Sequence, residues 1–300
     1  MTMIWWAKSL LISLLCLTAC TPCWDKRENH EILQCLDRYP VEEIEIPKHK
    51  VYVSLTTSPK RISKIQWALK GLDLTHVDTV FLSLPDKYKN KEDYQIPADL
   101  LKFPKLKIIR RPHDLGPIMK LVPPTEEILA LGDPEALLIT IDDDIAYPKG
   151  MIGQLIKESA RLQAVVSGRG KPSSYYGHHK YWLEPIALTP RVNLVEGHSG
   201  VGYLVKFLDP ERMKKLSTVG QNNVCKMSDD LVISWILAEK KVPRFEVKNQ
   251  FFPGVHPLQF GFGEDALHVG AGCSGPYCEN DSRYQACAKA LLEFVQQEKS

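Results

Sequence analysis

Ala136-Leu-Leu-Ile-Thr-Ile-Asp-Asp-Asp-Ile-Ala-Tyr-Pro148 is the stretch that decides the fold of this 300-residue chain. Residues 136–141 are apolar at almost every position, which is typical of a central strand buried on both faces of a sheet. The strand ends in three adjacent acids, Asp142, Asp143 and Asp144. Ligands of open α/β sheets bind at the carboxyl ends of the strands. The acids are therefore either a solvated acidic turn or a site for a divalent cation, and the buried strand before them favours the cation.

The rest of the chain alternates between strand and helix patterns. This alternation predicts an α/β fold, a single domain with a mainly parallel central sheet flanked by helices. Strands are predicted at 50–56, 78–84, 106–110, 136–141, 164–167 and 192–196. Helices are predicted at 62–72, 117–131, 150–162, 210–216, 229–240 and 284–298. Ser228 is expected to cap the helix that follows it.

The overall composition is that of an ordinary globular protein. The net charge is +2, and 44% of the residues are hydrophobic. Without a strong basic field or an acidic tail, nothing in the charge suggests a nucleic-acid partner.

The first 19 residues have the pattern of a signal peptide. A weakly positive start is followed by an apolar run and by small residues. Leu17-Thr-Ala-Cys20 resembles the lipobox of bacterial lipoproteins, which implies cleavage before Cys20, lipidation of its thiol and a membrane tether on the exported side. The alternative is an uncleaved signal that anchors the chain on the cytoplasmic side. Residues 20–48 then form a tether or a short helix, and residues 49–300 form the domain.

Cysteine usage agrees with export. Beyond Cys16 and Cys20, the chain contains six cysteines, and an even number in an exported chain indicates disulfides. These six are Cys23, Cys35, Cys225, Cys273, Cys278 and Cys287. We predict a Cys23–Cys35 bridge and two bridges among the other four.

A basic segment precedes the acidic strand. It carries Arg110, Arg111 and Lys120, and Gly116-Pro117 is placed to open a helix. A helix N-terminus with nearby cations can bind phosphate. Together with a divalent cation it predicts a diphosphate ligand. The alternative is a set of surface cations with no ligand.

A second acidic pair, Asp229 and Asp230, begins a nearly all-apolar helix at 229–240. Acids in a first helical turn are favoured by the helix dipole alone. Because the helix is apolar enough to be buried, one of the two acids could instead face a cavity and act as a general base. Among the histidines, His256 is our candidate for an additional metal ligand.

Four of these segments together resemble a GT-A-type glycosyltransferase of the family 2 kind. They are Val53-Ser-Leu-Thr-Thr-Ser-Pro-Lys-Arg61, Asp114-Leu-Gly-Pro-Ile-Met-Lys120, Ile141-Asp-Asp-Asp144 and Ser228-Asp-Asp230. The resemblance covers roughly residues 50–256. It implies a nucleotide-sugar donor and Mn²⁺ or Mg²⁺, with an Asp-x-Asp motif at Asp142 and Asp144.

The resemblance also implies roles for individual residues. Asp142 would face the ribose of the donor, with Asp143 beside it, and Asp144 would bind the metal that bridges the diphosphate. The nucleotide and its phosphates would be held by Thr56, Thr57, Arg61, Arg110, Arg111 and Lys120. Asp230 or Asp229 would deprotonate the acceptor hydroxyl. The acceptor sugar would contact Tyr176, His179, Trp182, His198, Ser199 and Gly200.

We therefore predict a metal-dependent glycosyltransferase, of hexosyl or N-acetylhexosaminyl type, acting on a saccharide or lipid-linked acceptor at a membrane. One alternative is a non-catalytic, membrane-tethered lipoprotein that binds a sugar or nucleotide with a degenerate transferase fold. A metal-dependent phosphoester hydrolase is a third possibility, but histidines that would complete its metal site are not evident near the acids.

Overall fold

The computed structural model describes residues 28–39, 43–89, 91–171, 192–247, 256–258 and 280–300, together with residues 26 and 41. Several predictions fall outside these residues and stay predictions. They concern the signal segment 1–19, Cys20, Cys23, Cys273, Cys278, Tyr176, His179 and Trp182.

The described residues form strands and helices in alternation. The strands are β1 (Val51–Leu55), β2 (Thr79–Pro85), β3 (Leu106–Arg111), β4 (Leu137–Thr140), β5 (Ile145–Ala146), β6 (Val165–Ser167), β7 (Gly170–Lys171), β8 (Leu194–Val195), β9 (Val201–Leu204), β10 (Arg244–Glu246) and β11 (His256–Pro257). The helices are α1 (Asn29–Leu36), α2 (Gln66–Lys70), α3 (Val122–Ala130), α4 (Gly150–Leu162), α5 (Pro210–Ser217), α6 (Asp229–Glu239) and α7 (Asn280–Glu298).

Seven strands form the central sheet, in the order β10-β6-β9-β4-β1-β2-β3. β1 pairs in parallel with β2 and with β4, so that Val53 lies beside Val80 on one side and Ile139 on the other. β3 extends this parallel half of the sheet, and β10 is parallel to β6. β9 runs antiparallel to both of its neighbours. The predicted fold class, α/β with a mainly parallel central sheet flanked by helices, is confirmed.

The sheet is buried between two layers of helices because its strands are apolar on both faces. On one face, Val53 and Leu55 join a core to which α2 and α4 contribute. On the other face, Tyr52 stacks on Phe81, and α3, α5, α6 and α7 complete the core. All four residues of β4 are buried. With both faces covered, the carboxyl edge of the sheet is left for polar residues.

Part of the segment predicted as a tether packs on the domain. Ile32, Cys35 and Leu36 of α1 are buried against Ala68, Ala146 and Leu258. This contact places α1 over the small β5–β11 sheet, which follows directly after the three aspartates. Among the described helices, none combines the length and the apolar character that crossing a membrane requires.

Two local predictions need correction, and two strands of the central sheet were not predicted. Residues 201–204, for which no strand was predicted, form strand β9. The helix predicted at 117–131 is divided into a 3-10 turn, Gly116–Lys120, and helix α3, whose first turn contains two prolines. Ser228 is the N-cap residue of α6, as predicted, but its side chain makes no capping hydrogen bond, and its hydroxyl donates to the carbonyl of Val224. The strand β10 was not predicted at all.

One disulfide joins Cys225 to Cys287, a separation of 62 residues. It agrees with the expectation of bridges among the four later cysteines, and Cys35 is also disulfide-bonded. We expect the double variant Cys225→Ala/Cys287→Ala to lose about 4 kcal/mol of unfolding free energy, because the bridge closes a long loop in the unfolded chain. Chemical denaturation under oxidising conditions measures this loss. A change below ~1 kcal/mol would contradict the expectation.

Candidate active site

A cavity of about 390 Å³ lies at the carboxyl edge of the sheet, where β1 and β4 end side by side. Its lining is strongly charged. The acids are Asp142, Asp143, Asp144, Glu196, Asp229 and Asp230, and the cations are Arg61, Lys120, Lys171 and Arg283. Thr56, His198 and Tyr284 also line it. Asp144 and Asp229 belong to two acidic clusters and are 85 positions apart in the sequence. Both nevertheless line this one cavity.

Asp143 anchors the acidic turn to the end of β1. The Thr57 hydroxyl donates to Asp143 Oδ2 at 2.5 Å, and Arg61 Nη1 lies 2.9 Å from Asp143 Oδ1. The same Arg61 nitrogen lies 3.0 Å from Asp144 Oδ2. Thr57 and Asp143 are buried, so these contacts fix the turn from beneath the cavity. Thr57 and Arg61, both predicted to hold the nucleotide, are thus engaged with the acids.

Asp142 is held by Lys120. Lys120 Nζ lies 2.7 Å from Asp142 Oδ1 and 3.1 Å from Asp229 Oδ2. The backbone N–H of Asp142 donates to the hydroxyl of Tyr147 at 2.9 Å, and that hydroxyl donates to the carbonyl of His198 at 3.1 Å. The ammonium therefore links the first acidic cluster to the second.

The carboxylates of Asp142 and Asp144 fit a hard divalent cation. Asp142 Oδ2 and Asp144 Oδ1 accept no hydrogen bond from any other described residue, and both residues line the cavity. Within the described part of the chain, no group of three His, Cys, Asp or Glu side chains is placed to hold a metal. Two carboxylates are nevertheless the usual protein share of a magnesium-type site, in which phosphates and water supply the other ligands.

The three adjacent acids shift the pKa values of one another. Burial, together with the charges of Asp143 and Asp142, raises the pKa of Asp144 to about 7. Burial also raises the pKa of Asp143, against the opposing charge of Arg61. For Asp142, the charge and hydrogen bond of Lys120 outweigh burial and lower the pKa. A divalent cation beside Asp144 would favour its charged form.

Asp230 lies across the cavity at the start of α6. Its Oδ1 accepts the backbone N–H of Gly197 at 3.0 Å, and its Oδ2 accepts the Tyr284 hydroxyl at 3.3 Å. A Cβ on Gly197 would lie 2.8 Å from Asp230 Oδ1, so any larger residue would displace the end of the Asp230 side chain. Burial and the neighbouring Asp229 raise the pKa of Asp230 well above its ordinary value. A carboxyl group that gains a proton readily is suited to general acid–base chemistry.

Stability should depend on pH through Asp230. Since its pKa is raised in the folded state, this carboxyl supports the fold most below its ordinary pKa near 4, and the support is lost as the pH rises towards the folded value. Asp230→Asn is therefore expected to unfold at a temperature higher than wild type by more than ~2 °C at pH 8, and to lose this advantage at pH 4. Thermal unfolding at the two pH values provides the test. Equal midpoints at pH 8 would contradict the raised pKa.

The predicted acceptor residues separate into two groups. His198 lines the cavity, and burial lowers its pKa, which favours the neutral imidazole. Ser199 is buried and does not line the cavity. Gly200 adopts a positive φ of 81°. A Cβ at this position would lie 2.9 Å from the sulfur of Met151.

The structure does not bring Arg110 and Arg111 to the cavity. Arg110 donates to the carbonyl of Pro85 at 2.9 Å, and Arg111 pairs with Glu126 at 3.1 Å. Neither is among the described residues that line the cavity. The backbone of His256 pairs with Ala146, two residues after Asp144. Its side chain lies outside the described part of the chain.

Sequence reasoning missed several residues of the site. Tyr147 is fully buried and joins the acidic turn to the 3-10 turn Gly197–Ser199. Arg283 and Tyr284 of α7 form one wall of the cavity although they are more than 50 residues from Asp230. No motif marks these residues, because their role follows from how α7 packs against α6.

Fold and site together define an α/β protein with a charged ligand cavity at its sheet edge. No family model matches the chain, and no curated protein matches it. Among solved structures, the mannosyltransferase PcManGT from Pyrobaculum calidifontis, in complex with GDP-Man and Mn2+, is 13% identical with a TM-score of 0.39. The alignment covers 72% of this chain and 60% of that one. A similarity this low says nothing about the ligands of this chain.

Proposed function

We propose that this protein is a metal-dependent glycosyltransferase that uses a nucleotide-sugar donor. One observation supports it above all: Asp142 and Asp144 share a single cavity with Asp229 and Asp230. The first pair has free oxygens for a cation, and the second contains a carboxyl group with a raised pKa. A glycosyl transfer needs a cation that neutralises the leaving diphosphate and a base that accepts the proton of the attacking hydroxyl. The two must lie within the length of one sugar.

Asp142 and Asp144 would hold Mn²⁺ or Mg²⁺ together with the diphosphate of the donor. When bound, the cation stabilises the negative charge that develops on the departing nucleoside diphosphate. Arg61 holds Asp144 in place, and it also fixes Asp143 together with Thr57. Lys120 holds Asp142. Thr56, directly after β1, lines the cavity and would contact the nucleotide.

Asp230 would accept the proton of the acceptor hydroxyl. The Gly197 N–H and the Tyr284 hydroxyl orient its carboxylate, and both contacts also moderate its negative charge. A cation held by Asp142 and Asp144 would lower the raised pKa of this group and favour the carboxylate form that accepts a proton. His198 and Tyr284 supply flat polar faces beside it that suit a saccharide acceptor.

The donor and acceptor remain proposals at the level of their class. We propose a hexosyl or N-acetylhexosaminyl donor and a saccharide or lipid-linked acceptor at a membrane, reached through the lipid on Cys20. The test is release of nucleoside diphosphate from a panel of UDP- and GDP-sugars, with Mn²⁺ and with EDTA. Release from at least one donor that depends on Mn²⁺ is expected. No release from any donor, with or without acceptor saccharides, would contradict an enzymatic role.

A second candidate function is favoured by the ion pairs of the site. Arg61 and Lys120 already neutralise the acids in part, without a metal. Such internal neutralisation suits a membrane-tethered protein that binds a nucleotide or sugar and does not turn it over. Binding of UDP or GDP without hydrolysis or transfer of any donor would favour this candidate.

A further inference from the structure

Lys120 occupies an unusual position for a residue expected to bind phosphate. It is only 6% exposed, and its ammonium lies between two carboxylates of different elements. One is Asp142, after β4, at 2.7 Å, and the other is Asp229, at the start of α6, at 3.1 Å. The ammonium donates a hydrogen bond to Asp142 and is in ion-pair contact with Asp229. Because the residue is also buried, little of the group is accessible to a phosphate oxygen.

The backbone around Lys120 packs closely enough for the ammonium to lie between the two acids. Its 3-10 turn begins at Gly116, which has a φ of 75° and lies so close to Lys226 that a Cβ would stand 2.9 Å from the Lys226 carbonyl oxygen. The residues after Lys226 lead directly into Asp229. At the other end, a Cβ on Gly197 would lie 2.9 Å from Lys120 Nζ. Two glycines thus permit the close packing that seats the ammonium between the acids.

We infer that Lys120 is a positioning residue that holds the donor-side Asp142 and the acceptor-side Asp229 at a fixed spacing, and that it does not bind the diphosphate. The terms donor side and acceptor side rest on the proposed function, whereas the ion-pair geometry does not. Two carboxylates of like charge would otherwise move apart, and Asp230 would shift with the first turn of α6. Misplacement of a reacting group by about 1 Å can reduce a rate ~100-fold.

The decisive variant is Lys120→Met, measured first with Mn²⁺ alone. Removal of the ammonium leaves Asp142 with its full negative charge, so Mn²⁺ binding should become about three- to tenfold tighter. UDP or GDP affinity at saturating Mn²⁺ should change by less than ~3-fold, while kcat for donor turnover falls ~100-fold. If Lys120 binds phosphate instead, nucleotide affinity should fall ~10-fold, and that result would overturn the inference. Unchanged or weaker Mn²⁺ binding would overturn it as well.

Gly197→Ala serves as a second variant in case Lys120→Met does not fold. It alters no charge, and its new methyl group pushes directly against Lys120 Nζ and Asp230 Oδ1. We expect a kcat reduced at least ~10-fold with Mn²⁺ and nucleotide affinities within ~2-fold of wild type. Wild-type kcat in Gly197→Ala would overturn the inference.

The matched control is Lys206→Met, which removes a lysine from a surface pair with Glu135 at 2.6 Å. Its Mn²⁺ affinity and kcat should equal those of wild type.

If the wild-type protein turns over no donor, the proposed function fails, yet the Mn²⁺ titration of Lys120→Met still decides the ion-pair role. Hydrogen exchange of residues 229–232 adds a readout that also needs no turnover: faster exchange in Lys120→Met and in Gly197→Ala is expected, and wild-type exchange in both would count against the role.

Discussion

Asp144→Asn is expected to weaken Mn²⁺ binding at least ~100-fold, which corresponds to about 2.7 kcal/mol of binding free energy. The amide keeps the shape of the carboxyl group but offers the cation no negative charge. The fold should remain intact, because the charged form of Asp144 is unfavourable in the metal-free protein. Burial and the neighbouring acids raise its pKa to about 7. Calorimetric titration with Mn²⁺, in the presence of UDP or GDP, measures the loss.

Asp99→Asn is the matched control for this substitution. Asp99 has a side chain that is 91% exposed and pairs with Lys102 at the surface, at 3.6 Å. Its variant should bind Mn²⁺ as wild type does. If Asp144→Asn bound Mn²⁺ with wild-type affinity, the acids after β4 would not be the metal site, and the assignment of the whole sheet edge would have to be abandoned.

Asp230→Asn is expected to reduce transfer by about 10²–10⁴-fold while nucleotide binding stays within ~3-fold of wild type. The asparagine can still accept the Gly197 N–H, so the local structure is retained, but it cannot take a proton from the acceptor. Because this variant should also be more stable than wild type at pH 8, its loss of activity cannot be attributed to unfolding. Initial rates with Mn²⁺ and a turned-over donor measure the effect.

Asp229→Asn separates the two acids of the pair. Asp229 contacts Lys120, whereas Asp230 contacts Gly197 and Tyr284. If Asp230 is the base, Asp229→Asn should retain more activity than Asp230→Asn. The reverse order of activities would move the base to Asp229, and wild-type activity in Asp230→Asn would remove Asp230 from the reaction.

The sequence was informative where a pattern repeats at short range. The apolar run at 136–141 and the acids after it predicted a buried strand that delivers Asp142 and Asp144 to the sheet edge, and β4 does so. The apolar helix behind Asp229 and Asp230 likewise predicted a buried helix with its acidic end at a cavity. Burial on both faces leaves a strand or helix few alternative positions, which makes these local patterns reliable.

Pairings between distant elements could not be predicted. Lys120, Arg110 and Arg111 have the same charge. Of these three, only Lys120 reaches the aspartates, since both arginines lie in β3, at the edge of the sheet. Strand β9 is only four residues long and follows a glycine-rich stretch, so its insertion between β4 and β6 depends on tertiary packing. The cavity wall of Arg283 and Tyr284 depends in the same way on the docking of α7.

The central claim is that the aspartates after β4 bind a divalent cation that in turn binds a nucleoside diphosphate. A thermal-shift series with UDP, GDP, ADP and CDP, each with Mn²⁺ and with EDTA, tests this claim most directly. We predict a rise in the unfolding temperature with at least one diphosphate that is present with Mn²⁺ and absent with EDTA. No rise with any diphosphate, or a rise of equal size in EDTA, would contradict it.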